Sequence, residues 1–311
     1  MPANLPPQFF ELQKKLKKTS ETEEKILILK EMLAICPKHK GTEKVQEDLK
    51  RKIAKLKKEV QREKKGKRGI DFYTVLREGA GQVVIIGPPN SGKTSLVNLL
   101  TRSQFKVADY PFSTTLPQPA MMPFENIQIQ LVDTPPLTKE FCPGWMKNLI
   151  LNCDLILAVF DLADPEIENK IKEIEEILKN WKIEKEVLFL GNKSDILEKE
   201  KQRKILENTE IEFLISTKKP ENEKISKIKK KIFEKLKIVR VYSKKPGKEP
   251  DFERPFIFKK GTKLLDLIEE INPQILSKFK KAKLFRKNLP HPKIVGKEYE
   301  LKDEDIIEIH N

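Results

Sequence analysis

The chain has 311 residues, 35% of them charged and 38% hydrophobic, with a formal net charge of +15. That length holds two or three domains with real cores, and no apolar run is long enough for a membrane helix, since the richest, Asn148 to Phe160, is interrupted by Asn152 and Asp154. Cys36, Cys142 and Cys153 are scattered and accompanied only by His39, His291 and His310, which argues against a disulfide frame or a metal cluster. The opening Met1-Pro2-Ala3-Asn4 lacks the basic and apolar segments of a secretory signal, so a cytoplasmic location is expected.

From Phe9 to about Lys65 apolar residues recur at helical spacing (Leu12, Leu16; Ile26, Leu29, Leu33; Ile53, Leu56, Val60), and the break from Pro37 to Gly41 predicts two helical arms joined by a turn. Lys64-Lys65-Gly66-Lys67-Arg68-Gly69 reads as a basic linker. Residues 1–70 carry 20 basic and 10 acidic groups, residues 238–311 carry 17 and 12, and the stretch between them is neutral. Three domains are therefore expected: a basic helical arm over 1–69, an α/β domain over 70–237 and a smaller domain over 238–311. Two basic modules around a neutral one point to an acidic partner, of which RNA is the commonest large one. A lysine-rich, heat-adapted proteome would leave the same mark.

Strands are expected near 82–87, 120–124, 127–132, 154–160, 186–190 and 212–215, with helices near 166–180 and 222–236, a doubly wound α/β pattern with ligand loops at the carboxyl ends of the strands. Ile127, Ile129 and Leu131 alternate with polar residues as an edge-side strand would, whereas Leu155 to Phe160 is continuous, as a central strand would be. Gly87-Pro88-Pro89-Asn90-Ser91-Gly92-Lys93-Thr94 is a complete G-x-x-x-x-G-K-[ST] loop, after the strand Val83 to Ile86 and before a helix that opens at Ser95. Its backbone N–H groups are expected to cradle phosphate, Lys93 to reach the β- and γ-phosphates and Thr94 to sit on Mg²⁺. Asn192-Lys193-Ser194-Asp195 completes an N-x-x-D element in which Asp195 accepts from the two N–H donors that guanine has and adenine lacks. Asn192 is expected to tie this loop to the phosphate loop, the Lys193 stem to cover the base, and Ser216 and Thr217 to offer a backbone N–H to the guanine O6. The pair of motifs predicts GTP and GDP as ligands.

Tyr110 to Pro117 is a candidate first switch, with Thr114 preferred over Thr115 as the hydroxyl that reaches Mg²⁺. Asp133 begins Asp-Thr-Pro-Pro and is expected to hold Mg²⁺ through water, but Pro136 has no N–H for a γ-phosphate. Leu137 stands where a glutamine often positions water, which predicts slow hydrolysis or, alternatively, a GTP-sensing adaptor that does not hydrolyse. In the last domain Ile238 to Tyr242 and Asp305 to Ile309 read as strands and Lys263 to Ile271 as a helix, while Lys278, Lys280, Lys281, Lys283, Arg286 and Lys287 form a basic patch that is the candidate RNA contact.

These residues in this order resemble the Obg and HflX group of translation-associated GTPases, most closely its DRG-like branch. The likeness covers Pro37 to Glu43, Tyr110 to Thr115, and a tail whose Phe279 to Ala282 and Val295 to Asp305 are similar to a TGS domain, a small ubiquitin-like β-grasp module. The resemblance implies a nucleotide-dependent ribosome or RNA binder. A regulatory protein partner and a monomeric state are further expectations. Pro136 departs from the pattern, as does Asn90, which resembles the potassium-coordinating asparagine of cation-dependent members of the wider class and makes K⁺ an expected second cation.

Overall fold

The computed structural model describes residues 73–105, 116–286 and 289–310 with isolated positions before them, in two compact units, Met1–Phe72 and Tyr73–Asn311. In the first unit Ile28, Leu29 and Met32 are helical and buried, Cys36 and Leu49 are buried, and Arg51 and Lys52 are helical and exposed. The rest of the expected basic arm, including its linker, lies outside the described residues.

The second unit begins with β1 (Gln82–Ile86), α1 (Lys93–Thr101), β2 (Gln118–Phe124), β3 (Ile127–Asp133), α2 (Gly144–Asn152), β4 (Leu155–Asp161), α3 (Ile167–Asn180), β5 (Val187–Asn192), α4 (Lys199–Asn208), β6 (Ile211–Leu214) and α5 (Asn222–Leu236). The six strands form one sheet in the order β2-β3-β1-β4-β5-β6, parallel except for β2. β1 and β4 read as unbroken aliphatic runs because both faces of the sheet are covered. Val83, Ile85, Leu157 and Val159 pack under Leu96, Leu100, Ile228 and Ile232 of α1 and α5, while Val84, Ile86, Ile156 and Phe160 pack under Met146, Ile150, Ile171 and Ile174 of α2 and α3. β3 does not lie at the edge, as its alternation predicted. β2 starts earlier, at Gln118, pairs with β3 along its whole length and takes the edge, so all of β3 except Gln128 is buried.

The chain continues through Lys237, in the left-handed region at φ 52°, into β7 (Ile238–Lys244), β8 (Phe256–Lys259), α6 (Leu264–Ile271), α7 (Pro273–Lys278), β9 (Lys281–Phe285), β10 (Lys293–Val295) and β11 (Asp305–His310). The sheet order is β10-β9-β11-β7-β8, with the last strand parallel to the first at its centre. Leu264, Leu267 and Ile268 of α6 cover one face through Val239, Val241, Leu284 and Ile307. One amphipathic helix crossing a mixed sheet is the expected β-grasp architecture. α2, α4, α7 and β8 to β10 were not anticipated as separate elements.

The two sheets meet at the β2–β3 turn, where Glu125 has φ 49°. Arg240 of β7 is only 4% exposed: its Nε donates to Asp303 Oδ1 at 3.0 Å and its Nη2 to Asp303 Oδ2 at 2.7 Å. The same guanidinium reaches Glu125 and lies 4.9 Å from the Phe233 ring centroid of α5. Burial alone would lower its pKa, but bonds to Asp303 and Glu125 outweigh this and hold it above the ordinary value. Asn126 completes the junction, its Nδ2 donating to the Tyr242 hydroxyl at 2.7 Å and to the Phe252 carbonyl at 2.9 Å.

Candidate nucleotide site

The loop after β1 needs glycine at both ends for different steric reasons. A Cβ on Gly87 would lie 2.2 Å from the Val159 carbonyl oxygen, and one on Gly92, at φ +85°, would lie 2.1 Å from Asn192 Nδ2. Between them Asn90 is exposed at φ 60°. The first turn of α1 has no side-chain cap, so its backbone N–H groups face the loop, a ready anion site. Ser91 Oγ is buried and accepts or donates no hydrogen bond among the described residues. Lys93 is buried and donates from Nζ to the carbonyls of Gly87 at 3.1 Å and Pro88 at 2.9 Å. Burial pulls its pKa down to about 8 against the opposing pull of Asp133. An ammonium held by loop carbonyls in a desolvated cradle fits a phosphate ligand.

Thr94 Oγ1 donates to Asp133 Oδ2 at 2.6 Å, bringing two hard oxygens together beside Lys93. Two such oxygens are the kind of donors that Mg²⁺ takes. Their meeting follows from topology: Asp133 ends β3 opposite Ile85, one strand from the loop. Thr114 lies outside the described residues. Pro135 and Pro136 are buried, and the first N–H after them, that of Leu137, donates to the Gly87 carbonyl at 3.0 Å. The Leu137 side chain is fully buried in the core with Val84, Ile86 and Met146. With its side chain in the core and two prolines before it, Leu137 offers no polar group for positioning water.

The expected base-reading half is assembled around Asn192, fully buried at the end of β5. Its Nδ2 donates to the Ser91 carbonyl at 3.0 Å, and its Oδ1 accepts from the N–H groups of Lys193 at 2.8 Å and Thr217 at 3.2 Å. One amide thus joins all three loops. Asp195 is exposed, its Oδ1 accepting from Ser216 Oγ at 2.5 Å, and this bond is the main reason its carboxyl stays below the usual range. Lys193, at φ 64°, reaches from Nζ to Asp161 Oδ2 at 2.5 Å. Asp161 was not singled out from sequence. Its place at the carboxyl end of a central strand was the available signal.

The expected basic patch is divided by the pleat of β9. Lys280 and Lys281 are exposed, and Lys283 lies 3.7 Å from Glu308. Arg286 turns to the other side, where its Nε donates to buried Asp305 Oδ1 at 2.9 Å and its Nη2 to the Tyr299 hydroxyl at 3.0 Å. Arg286 is therefore committed inside its own domain and is removed from the candidate RNA contacts. The Lys278 side chain and Lys287 lie outside the described residues.

Residues 82–193 match the family model of the 50S ribosome-binding GTPase, and residues 239–311 match that of the TGS domain. Developmentally-regulated G-protein 1 of Arabidopsis thaliana is 25% identical over 92% of this chain and 90% of its own. Ribosome-interacting GTPase 1 of Saccharomyces cerevisiae is 23% identical over 93% of this chain and 99% of its own. GTPase Obg of Pelagibacter ubique is 30% identical over 46% of this chain and 47% of its own. Among the described residues no helix is long and apolar enough to cross a membrane.

Proposed function

The chain belongs to the Obg/DRG-like GTPases that carry a TGS domain, and from that premise we propose that it hydrolyses GTP slowly and uses its nucleotide state to time association with ribosomes or another structured RNA in the cytoplasm. One observation carries the slow chemistry. The phosphate end of the site brings together Lys93, Thr94 and Asp133, yet the segment after Asp133 supplies two prolines and a buried leucine where water would be oriented. Lys93 and the α1 N-terminus hold the phosphates, Thr94 and Asp133 hold Mg²⁺ with Thr114 completing the set, and Asp195 selects guanine. Mg²⁺ supplies charge neutralisation on the β- and γ-oxygens. We infer that Asn90, exposed in the phosphate loop, would coordinate K⁺ at the same phosphates.

The ribosome reading is supported by the basic flanking regions and by the name of the yeast relative. We divide the chain into a basic arm over 1–69, a GTPase domain over 70–237 and a TGS domain over 238–311, acting as a monomer with a regulatory protein partner. The alternative, a GTP-sensing adaptor that does not hydrolyse, is favoured by the same Pro136 and Leu137. Multiple-turnover phosphate release with and without ribosomes separates the two: release that stays at the buffer baseline in both selects the adaptor. Co-sedimentation with ribosomes in GTP, GDP and no nucleotide tests the partner, and absence from the pellet in all three states removes it.

A further inference from the structure

The TGS sheet has one face under α6 and one without a helix. Across that second face Ile294, Lys283, Glu308 and Lys244 lie side by side on β10, β9, β11 and β7, flanked by Lys281 beside His310 and by Phe285 beside Ile306 and Tyr242. Glu308 is 4% exposed and serves several cations: it accepts from Lys244 at 2.5 Å, meets His310 Nε2 at 2.7 Å and lies 3.7 Å from Lys283. Lys281 has no acidic partner among the described residues. Glu308 on β11 thus lies between Lys283 on β9 and Lys244 on β7, opposite-charge neighbours of the kind that stabilise a sheet, while exposed Lys281 leaves its charge to the open face.

The two ends of this face differ. At the β7 end, Tyr242 is closed off by Asn126 of the GTPase domain and by Phe252, whose ring is edge-on at 5.1 Å. At the β10 end, Ile294 is 61% exposed and Phe285 is partly exposed, with Lys244 Nζ 4.8 Å from the Phe285 ring centroid. Apolar and aromatic groups are therefore interleaved with cations on an open surface. An acidic peptide would use the charges and leave the flat apolar groups idle. A duplex would hide its base faces. A single strand uses both, with phosphates on lysines and bases on apolar side chains.

Resting on the RNA reading above, we propose that the β9–β10–β11 half of this face binds single-stranded RNA, with Lys281 and Lys283 on the phosphates and a base against Ile294 and Phe285. Lys281 and Lys283, two residues apart on one strand, are separated by about 7 Å, close to the step between successive phosphates of an extended strand. The test is fluorescence anisotropy of the full chain with labelled oligouridylate, across a KCl series, for the unaltered protein, Lys281→Gln, Lys283→Gln and Ile294→Ala. Lys281 and Ile294 are exposed, so their variants leave the core intact.

Removing one lysine is expected to make the log–log salt slope shallower by about 0.7. Ile294→Ala should weaken binding by about fivefold or more with the slope unchanged. The proposal is overturned by absent oligouridylate binding, by unchanged affinity in the Lys281 and Ile294 variants, by equal binding of an RNA duplex, or by polyglutamate competing as well as oligouridylate, which would assign the face to an acidic protein. Ribosome co-sedimentation of the same variants separates the two claims. If ribosome binding persists while oligouridylate ignores the substitutions, this face is wrong and the ribosome reading stands. If the unaltered protein never sediments but its oligouridylate binding responds to the substitutions, the reverse holds.

Discussion

Replacing Arg240 by alanine should destabilise the Tyr73–Asn311 unit by about 2.5–3 kcal/mol, a figure assembled from what its guanidinium touches. Breaking a fully buried ion pair costs about 3–5 kcal/mol, but the carboxylates left behind here are 33% exposed at Asp303 and 56% at Glu125 and can rehydrate. Asp303 also keeps the Arg240 backbone N–H, 2.8 Å away. The Asp303 fork then contributes about 1.5 kcal/mol, the exposed Glu125 pair about 0.5 kcal/mol and the lost contact over Phe233 about 0.5–1 kcal/mol. For a unit of this size the melting temperature should fall by about 5–10 °C. Urea unfolding followed by Trp145 and Trp181 fluorescence reads the change, and a double-mutant cycle with Glu125→Gln should give a coupling of about 0.5 kcal/mol. A loss for Arg240→Ala below about 0.5 kcal/mol would refute the account of this junction.

Asp195→Asn should cost at least about tenfold in GTP affinity and shift preference towards xanthine nucleotides, because the donor pattern is inverted; equal binding of ATP and GTP by the unaltered protein would remove the assignment. Gly92→Ala should abolish measurable nucleotide binding, since its methyl would meet Asn192 Nδ2 at 2.1 Å at a φ of +85°; near-normal affinity by titration calorimetry would contradict the close approach. Exchanging K⁺ for Na⁺ should slow turnover in the unaltered protein and leave Asn90→Ala unmoved, whereas the same turnover in both salts would make Asn90 a turn residue only. Under native conditions at pH 8 iodoacetamide should add to Cys142 alone, because Cys36 and Cys153 are buried and burial pushes the Cys153 thiol up to about 11; intact mass spectrometry showing rapid double labelling would disagree.

The nucleotide loops were readable because their signals are short: a strand, a glycine-bounded turn and a helix within a few residues of one another, and likewise Asn192 after a continuous apolar strand. The burial of Leu137 was not legible, because a sequence shows the neighbours of a residue and not its direction. The basic patch was misread for a related reason. Lys283 and Arg286 look equivalent along the chain, but the pleat of β9 sends one towards Glu308 on the open face and the other towards Asp305 beneath it. Arg240 carried no local signal at all, since Asp303 and Glu125 are distant in sequence and meet it only through the docking of two sheets. β3 appeared to be an edge because its polar positions alternate. Gln130 is buried by a side-chain bond to Gln82 at 2.7 Å, a pairing visible only once β1 lies beside it.

The β2–β3 hairpin has a mechanical consequence. Its open end lies at the chemistry, where Gln118 pairs with Asp133, and its closed end, Glu125 and Asn126, is clamped by Arg240 and Tyr242. Seven paired residues span about 20 Å, and a fully bonded ladder hardly stretches. A displacement imposed on Asp133, or on the segment that enters β2, would meet no intervening loop before the Glu125–Asn126 turn that touches Arg240 and Tyr242. The hairpin thus has the form of a connecting rod, one end beside Asp133 and the other against the TGS sheet.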